Sequence, residues 1–225
     1  MIDTARRRGR RKAVERMAVA AAGYAAMGWP VCVGAHPPGR PQRGAAAVRA
    51  CSCDRMGCPA PGAHPMSPAW QVEATADPAA VSSLWLARPE ANVILPTGRA
   101  FDVLDVPAAA GAAALDMMER SGVRPGPVAV SAGNRIHFFV LTRGAPADEY
   151  EWWSCHLDCE PETVTQVTGL RWHCRDSYVL APPSRFGTAG TAGTVRWLHG
   201  PADHPLPDGV RLLEFLADAC EGTAG

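Results

Sequence analysis

One seven-residue stretch, FDVLDVP at residues 101–107, constrains this chain most, because it places two carboxylates within an apolar run. Side chains alternate faces along a β-strand, so Asp105 and Pro107 share one side of the predicted strand while Asp102 points to the other. A carboxylate on a buried strand is costly unless it meets a metal or a hydrogen-bonded site. Two acids at positions i and i+2 would form a clamp for divalent cations. Because Pro107 occupies the second position, the stretch predicts half of such a clamp.

The composition indicates an ordinary folded protein with enough chain for one substantial core. The 225 residues are 47% hydrophobic and 20% charged, which is typical of soluble globular domains. No run of 18 apolar residues is present, which argues against a membrane span. The N-terminus has basic residues before an Ala-rich segment, but it has no leucine-rich apolar region and no convincing cleavage site of a signal peptide. We therefore expect a cytoplasmic, unprocessed protein without a membrane partner.

The first 12 residues form a basic arm that contains the sequence RRRGRRK at positions 6–12. Such an arm could bind phosphate backbones through its charge. Runs of like charge are also common in solvated, frayed chain ends. We expect a flexible arm at residues 1–12, with both interpretations open.

A second constraining motif is the cysteine-rich segment CSCDRMGCPAPGAH at residues 51–64. Three thiolates and an imidazole match the ligands of a closed tetrahedral zinc site, and they come from Cys51, Cys53, Cys58 and His64. The loop is rich in Gly and Pro, so it can wrap around an ion and has little apolar content to hold it otherwise. We interpret it as a structural zinc knuckle, with unligated surface thiols and a redox-active cluster as the alternatives.

The rest of the chain alternates helical and strand patterns. Helices are predicted over residues 12–27, from Pro78 to before Pro89 with Thr75 or Asp77 as the cap, and over 108–121 and 210–219. Strands are predicted at 29–33, 164–168, 178–181 and 195–198, and in two hairpins that pair 92–95 with 101–106 and 128–131 with 136–141. These elements predict an α+β fold, a single domain with a central mixed or antiparallel sheet and flanking helices.

The order of the motifs resembles the N-terminal catalytic domain of bifunctional DNA primase/polymerases, within the archaeo-eukaryotic primase superfamily. The resemblance is carried by GWPV at 28–31, GAHP at 62–65, Trp70, ATADP at 74–78, Asn92 with Thr97 and Gly98, DVLDV at 102–106, the 131–137 hairpin and SYVLAPPS at 177–184. Each motif alone is weak, but the ordered set is specific. It extends over residues 13–200, which are expected to form the primase-polymerase-like domain, and a C-terminal helix and tail are expected at 201–225.

The resemblance implies a two-metal nucleotidyl transferase, in which cations bridge the phosphates of the incoming nucleotide. Asp105 aligns with the first metal-binding acid, and the implied catalytic set is Asp105, Asp102 and His137. The implied nucleotide contacts are Ser131, Gly133, His137 and Ser184. An active site of this kind would use Mg²⁺ or Mn²⁺ beside the structural zinc, and its partner would be a nucleotide or nucleic acid.

Departures from the family pattern weaken the catalytic expectation. Pro107 replaces the second acid, and Asp102 lies on the opposite face of a straight strand. The segment LRWHCR at 170–175 lacks the third acid, and Asp176 is too close to the next strand to take its place. Losing two of three carboxylates removes most of the charge that holds a pair of divalent cations. We therefore favour a catalytically degenerate domain that binds nucleotide or nucleic acid in a replication-related or regulatory role.

Two other functions stay open. An active template-dependent primase/polymerase could use Asp102, Asp105 and an acid from elsewhere, such as Asp176. A protein-interaction scaffold could keep the fold without any contact with a nucleotide.

Two further groups of residues have both a functional and a structural interpretation. Cys155 and Cys159 could form a second metal site with His173 and Cys174, or they could be incidental thiols of a packed helix. Aromatic side chains beside arginines could stack on single-stranded bases, or they could belong to the core, namely Trp152, Trp153 and Trp172 beside Arg171 and Arg175.

Overall fold

The computed structural model describes residues 15–38, 50–53, 55–142, 167, 169–188 and 190–223. Within these residues the chain forms two compact units. The first extends to Leu95 and includes Leu180–Val195, and the second comprises Pro96–Val179 and the chain from Arg196 onward. The predicted mixture of helices with antiparallel strand pairs is confirmed. No helix in this part of the chain is long and apolar enough to cross a membrane.

The first unit begins with helix α1 over residues 15–26. Its apolar face is buried through Met17, Ala21 and Tyr24, which follow the predicted helical spacing. Gly28 closes the helix with a φ of 77°, the left-handed conformation that glycine adopts after a helix end. The helix end signal in the sequence is therefore confirmed.

Strand β1 (Cys32–Gly34) is shorter and begins later than the strand predicted at 29–33. The Trp29 N–H still bonds to α1, where it donates to the Tyr24 carbonyl at 3.0 Å. Pro30 has no N–H to donate to a neighbouring strand. β1 pairs antiparallel with β2 (Asn92–Pro96), whose residues are all buried.

The described residues between these strands include two helices, the single-turn α2 (Trp70–Glu73) and α3 (Pro78–Ala87). Asp77 caps α3, since its Oδ1 accepts a hydrogen bond from the Ala80 N–H at 2.7 Å. Pro78 occupies the first turn, where its missing N–H costs nothing. Of the two predicted caps for this helix, Asp77 is the one that forms.

The predicted hairpin between residues 92–95 and 101–106 is wrong. β2 pairs with β1, whereas β3 (Asp102–Pro107) pairs with strands of a different sheet. The link between them is held by Thr97, whose N–H and hydroxyl donate to backbone carbonyls within 174–177. Because the turn is bonded to residues 174–177, β2 and β3 do not pair with each other.

The second unit contains a five-stranded sheet with the order β10-β4-β5-β3-β6, and its neighbouring strands are antiparallel. The predicted hairpin of 128–131 and 136–141 is confirmed as the pair β4 and β5. Besides β3 the strands are β4 (Val128–Ser131), β5 (Arg135–Val140), β6 (Arg171–His173) and β10 (Arg196–His199). The remaining described strands are short, namely β7 (Tyr178–Leu180), β8 (Arg185–Phe186) and β9 (Gly193–Thr194).

The two faces of the five-stranded sheet differ in chemistry. One face packs against the helices α4 (Ala108–Arg120) and α5 (Gly209–Thr223). Alternation along the strands sends Asp105 of β3 and His137 of β5 to the other face. The apolar face contributes to one buried cluster with the helices, which includes Leu104, Val106, Met118, Phe138, Val140, Leu212 and Leu216. Burial of that face therefore determines which side chains the polar face presents.

Three sequence predictions lie outside the described residues. They are the basic arm at 1–12, the segment 152–159 with its cysteines and tryptophans, and the strand at 164–168 apart from Val167. These stay predictions.

Candidate functional site

The four side chains that the sequence groups into a zinc knuckle also lie together in space. Cys51, Cys53, Cys58 and His64 offer one ligand atom each, and these atoms all lie within 4.8 Å of one another. His64 Nε2 is 3.5 Å from Cys51 Sγ and 3.4 Å from Cys58 Sγ. Zinc–sulfur and zinc–nitrogen bonds of about 2.3 and 2.1 Å place tetrahedral ligands about 3.5 Å apart. The cluster could therefore hold a metal ion, and its spacing suits zinc.

Hydrogen bonds around the knuckle orient its ligands. His64 Nδ1 lies 2.7 Å from the Pro65 carbonyl, which leaves Nε2 available for a metal. The Gly62 N–H donates to the Cys51 sulfur at 3.4 Å. The side-chain amide of Asn92 in β2 donates to the Gly62 carbonyl at 2.8 Å. The knuckle is thus attached to β2 of the first unit by a hydrogen bond that does not depend on an ion.

The thiols of the knuckle differ in how readily they ionise. Burial and the neighbouring thiols raise the pKa of Cys58 to about 11. For Cys53, burial acts in the same direction, but hydrogen bonds from the Arg55 backbone and from the other thiols lower its pKa overall. A zinc ion would hold all three sulfurs as thiolates, which the protein alone does not do for Cys58.

A second cluster lies on the polar face of the five-stranded sheet and is called the Asp105 cluster, after its members Asp105, His137 and His173. β5 places His137 directly opposite Asp105, and β6 places His173 opposite Val103, which faces the same side. His173 Nε2 is 3.2 Å from Asp105 Oδ2, and His137 Nε2 is 3.6 Å from Asp105 Oδ1. One ligand atom from each member lies within 4.8 Å of the others, so this cluster could also hold a metal ion.

Arg135, the first residue of β5, forms an ion pair with the carboxylate of the cluster. Its Nε donates to Asp105 Oδ1 at 2.7 Å. Its Nη2 donates to the backbone carbonyls of Asp105 at 2.9 Å and Gly169 at 2.6 Å. The guanidinium therefore joins β3 to the chain that leads into β6, and it occupies one of the two carboxylate oxygens.

Neighbouring positive charges keep Asp105 ionised, and burial leaves His137 neutral at pH 7. Burial raises the pKa of Asp105, but His137, His173 and Arg135 together outweigh it and lower that pKa to about 2. Burial lowers the pKa of His137 to about 4, against the attraction of the Asp105 carboxylate. The cluster thus presents one carboxylate and at least one neutral imidazole, which are the forms that bind metals.

Asp102 is placed away from the Asp105 cluster. It lies on the helical face of the sheet, as the alternation of β3 predicts, and its Oδ2 accepts a hydrogen bond from Trp172 Nε1 at 3.3 Å. Asp102 therefore offers no ligand to the other face. Trp172 is buried beside it, in the core rather than on the polar face.

The predicted nucleotide contacts fall into two groups. Ser131 ends β4 opposite Arg135, and Gly133 lies in the following turn with a φ of 69°, so both adjoin the polar face of the sheet. Ser184 belongs to the first unit, where its hydroxyl accepts a hydrogen bond from the Val93 N–H at 2.9 Å. Its hydroxyl is therefore used to hold the chain onto β2.

Sequence reasoning missed two residues of the site, Arg135 and His173. The sequence groups His173 only with the cysteines, but Cys174 is buried in the helical core while His173 faces the polar side. A usable signal is the pattern Arg171-Trp172-His173, in which one buried residue separates two polar ones. No comparable local signal identifies Arg135, because its role depends on strand pairing.

The chain matches a known protein family. The model of the family described as bifunctional DNA primase/polymerase, N-terminal, matches residues 21–209, a range that contains both clusters. No protein among the curated ones searched matches the chain.

Proposed function

The chain belongs to the bifunctional DNA primase/polymerase N-terminal family, and from this membership we propose that it is a primase/polymerase-like domain that binds nucleotide phosphates or nucleic acid without two-metal nucleotidyl transfer. The family itself indicates a nucleotidyltransferase-like domain connected with DNA replication. The finer part of the proposal, binding without synthesis, rests on the composition of the Asp105 cluster.

The observation that carries the proposal is that the cluster contains a single carboxylate. Two-metal catalysis needs acids that hold both cations against each other's repulsion while they bridge the phosphates. Asp105 is the one acid of this cluster, and Arg135 already occupies its Oδ1. His173 lies on the strand where the family pattern leads us to expect the third metal-binding acid. Pro107 occupies the position of the second acid in that pattern. The remaining charge favours one cation or an anion over a pair of cations.

The surroundings of the cluster favour anionic ligands. Arg135 and Arg171 lie on the same face of the sheet as the two histidines, because Arg171 is opposite Asp105 in β6. Arginine and histidine side chains recognise phosphate oxygens through charge-assisted hydrogen bonds. Ser131 and Gly133, which adjoin this face, fit the role of additional phosphate contacts.

The acids of the rival enzyme function are poorly placed. Asp102 lies on the helical face of the sheet with Trp172. The side chain of Asp176 is 57% exposed and lies 3.9 Å from Arg175, and it is not among the residues that group around Asp105. This arrangement supports a degenerate site over an active one.

We include a structural zinc in the proposal. The knuckle offers three sulfurs and one nitrogen at tetrahedral spacing, and its four ligands leave no open position for a substrate. Its role would be to hold a Gly/Pro-rich loop against β1 and β2.

Two assays test the proposed function. A templated incorporation assay with Mg²⁺ or Mn²⁺ should give no synthesis above that of the variant Asp105→Ala. Binding of a nucleoside triphosphate and of a single-stranded oligonucleotide should weaken with salt and fall about tenfold in Arg171→Gln. The matched control is Arg196→Gln, an arginine of the same sheet whose register partner Val130 belongs to the helical face.

The outcomes separate the three candidate functions. Robust synthesis that Asp105→Ala abolishes would contradict the proposal and establish the enzyme. Absence of binding to both ligands would contradict it in favour of a protein-interaction scaffold. Equal weakening by Arg171→Gln and Arg196→Gln would show that binding does not involve the polar face.

A further inference from the structure

We propose that the Asp105 cluster is a mononuclear site for a borderline transition-metal dication, with Asp105, His137 and His173 as its protein ligands. The inference rests on the proposed function in one respect, since a single ion takes the place of the cation pair that nucleotidyl transfer requires. It adds a second metal to the chain, distinct from the zinc of the knuckle.

The first support is the spacing of the donor atoms. Metal–ligand bonds of about 2.1 Å place neighbouring ligands about 3.0–3.4 Å apart in octahedral or tetrahedral geometry. His173 Nε2 and Asp105 Oδ2 are 3.2 Å apart, and His137 completes the set within 4.8 Å. Three ligands supplied by β3, β5 and β6 leave further positions of the ion open to water or a ligand.

The second support is the shortage of hydrogen-bond partners around the His137 ring. Its side chain is buried, and its Nδ1 has no hydrogen-bond partner among the described residues. Its Nε2 lies 3.6 Å from Asp105 Oδ1, which is beyond hydrogen-bond distance. Coordination through Nε2 would give this nitrogen a partner that the described residues do not supply, while Nδ1 keeps the proton of the neutral ring.

The third support is the set of hydrogen bonds that orient the other two ligands. His173 Nδ1 is 3.0 Å from the Ser177 hydroxyl, which leaves Nε2 facing Asp105. Arg135 binds Asp105 Oδ1 and leaves Oδ2 toward His173. Partners of this kind, on the far side of histidine and carboxylate ligands, are typical of protein metal sites.

The ligand chemistry selects the class of ion. Two imidazoles and one carboxylate suit Zn²⁺, Co²⁺, Mn²⁺ or Fe²⁺, whereas Mg²⁺ and Ca²⁺ prefer sites made of oxygen ligands. Arg135 and Arg171 nearby would bind the phosphates of a ligand that completes the coordination of the ion. A divalent ion with phosphates on one side therefore fits both the donor set and the charge of the face.

The test is metal stoichiometry without any nucleotide. The intact chain is equilibrated with Zn²⁺ or Co²⁺ and freed of excess metal. Inductively coupled plasma mass spectrometry then measures the number of metal ions per chain. We expect two ions per chain, one for each cluster. Asp105→Asn and His173→Ala should each retain one. The matched control His204→Ala, a histidine of the same unit outside the cluster, should retain two.

Absorption spectroscopy of the unmodified chain loaded with Co²⁺ tests for the second ion even where a variant fails to fold. The Co²⁺ of the knuckle should show thiolate-to-metal charge transfer, and the second Co²⁺ should add ligand-field bands without it. One ion per chain with thiolate bands alone would overturn the inference, as would two ions in folded His173→Ala. Phosphate binding that persists with one ion would leave the proposed function intact, so the two can fail separately.

Discussion

The knuckle and the Asp105 cluster are both sets of side chains that could hold a metal ion, yet they are assembled in opposite ways. The knuckle takes its four ligands from one 14-residue stretch, residues 51–64, so spacing along the chain is enough to bring them together. The Asp105 cluster takes one side chain from each of three strands, and its geometry depends on their register. A local site can thus be recognised from sequence, whereas a site across a sheet becomes visible only with the pairing.

The two sets also differ in what holds them without a metal. The knuckle contains little besides its ligands and a few backbone hydrogen bonds, so we expect its structure to depend on the ion. The Asp105 cluster lies on a sheet whose other face is buried against α4 and α5, and Arg135 already neutralises its carboxylate. We expect that sheet to fold without an ion. The four predictions below test this contrast.

The largest effect is expected from Cys58→Ser, which removes one ligand of the knuckle. Loss of a structural zinc should lower the free energy of unfolding of the first unit by roughly 4–5 kcal/mol or more. Metal content and chemical denaturation measure it. The control Ser52→Ala lies between two ligands and loses a hydrogen bond of 2.9 Å from the His36 N–H. It should keep the zinc and cost about 1 kcal/mol. Equal stability of the two variants would contradict a metal-dependent knuckle.

The next effect concerns the placement of β6 and is expected from Gly98→Ala. Gly98 has a φ of 75°, and an added Cβ would collide with the Arg175 backbone just after His173. Strain and overpacking together should cost about 3–4 kcal/mol in thermal or chemical unfolding. The matched control is Gly122→Ala, which has a φ of 65° and open space around it. It should cost about 1 kcal/mol. Similar costs at the two positions would mean that close packing at Gly98 does not place β6.

The structural features that can be predicted from the sequence are the ones that depend on residues close together in the chain. The grouping of the four knuckle side chains, the C-cap at Gly28, the Asp77 cap and the β4–β5 hairpin each depend on a few adjacent residues, and each arrangement is present. The strand face of Asp105 also follows from simple alternation. These signals are local, so one sequence is sufficient to read them.

The features that the sequence misses depend on which strands pair. β2 and β3 are buried throughout, apart from the half-buried Pro107, so neither shows the alternation of buried and exposed residues that would help to identify its pairing partner. The false hairpin between them follows from their closeness in sequence. Arg135 and His173 enter the site only because β5 and β6 flank β3. Register is set by tertiary packing, which no local pattern contains.

A third prediction tests the electrostatics of the Asp105 cluster through pH. Burial lowers the pKa of His137 from 6.5 to about 4 in the folded chain. Between these values the unfolded chain takes up a proton that the folded chain does not, so stability falls as pH falls through this window. The loss attributable to His137 should reach about 3 kcal/mol near pH 4. Denaturation at pH 7, 5.5 and 4.5 measures it.

The variant His137→Gln should remove this part of the pH dependence. Phe138→Leu, an apolar substitution at the next residue of β5, is the matched control because it adds no titrating group. It should lower stability by a similar amount at every pH and leave the slope unchanged. A slope in His137→Gln as steep as in the unmodified chain would contradict a neutral, buried His137.

The smallest effect on stability is expected from Ser177→Ala, which removes the hydroxyl 3.0 Å from His173 Nδ1. Loss of one half-buried hydrogen bond should cost about 1 kcal/mol of unfolding free energy. The same change should weaken binding of the ion proposed at the Asp105 cluster about tenfold, because the His173 ring is no longer oriented. Titration with Co²⁺ measures the affinity, and the knuckle, whose His64 is oriented by the Pro65 carbonyl, serves as the internal control. Equal changes in metal affinity at both sites would mean that Ser177 acts on the fold as a whole. A change at the Asp105 cluster alone would show that the metal affinity of a cluster spread over three strands depends on residues beyond its ligands.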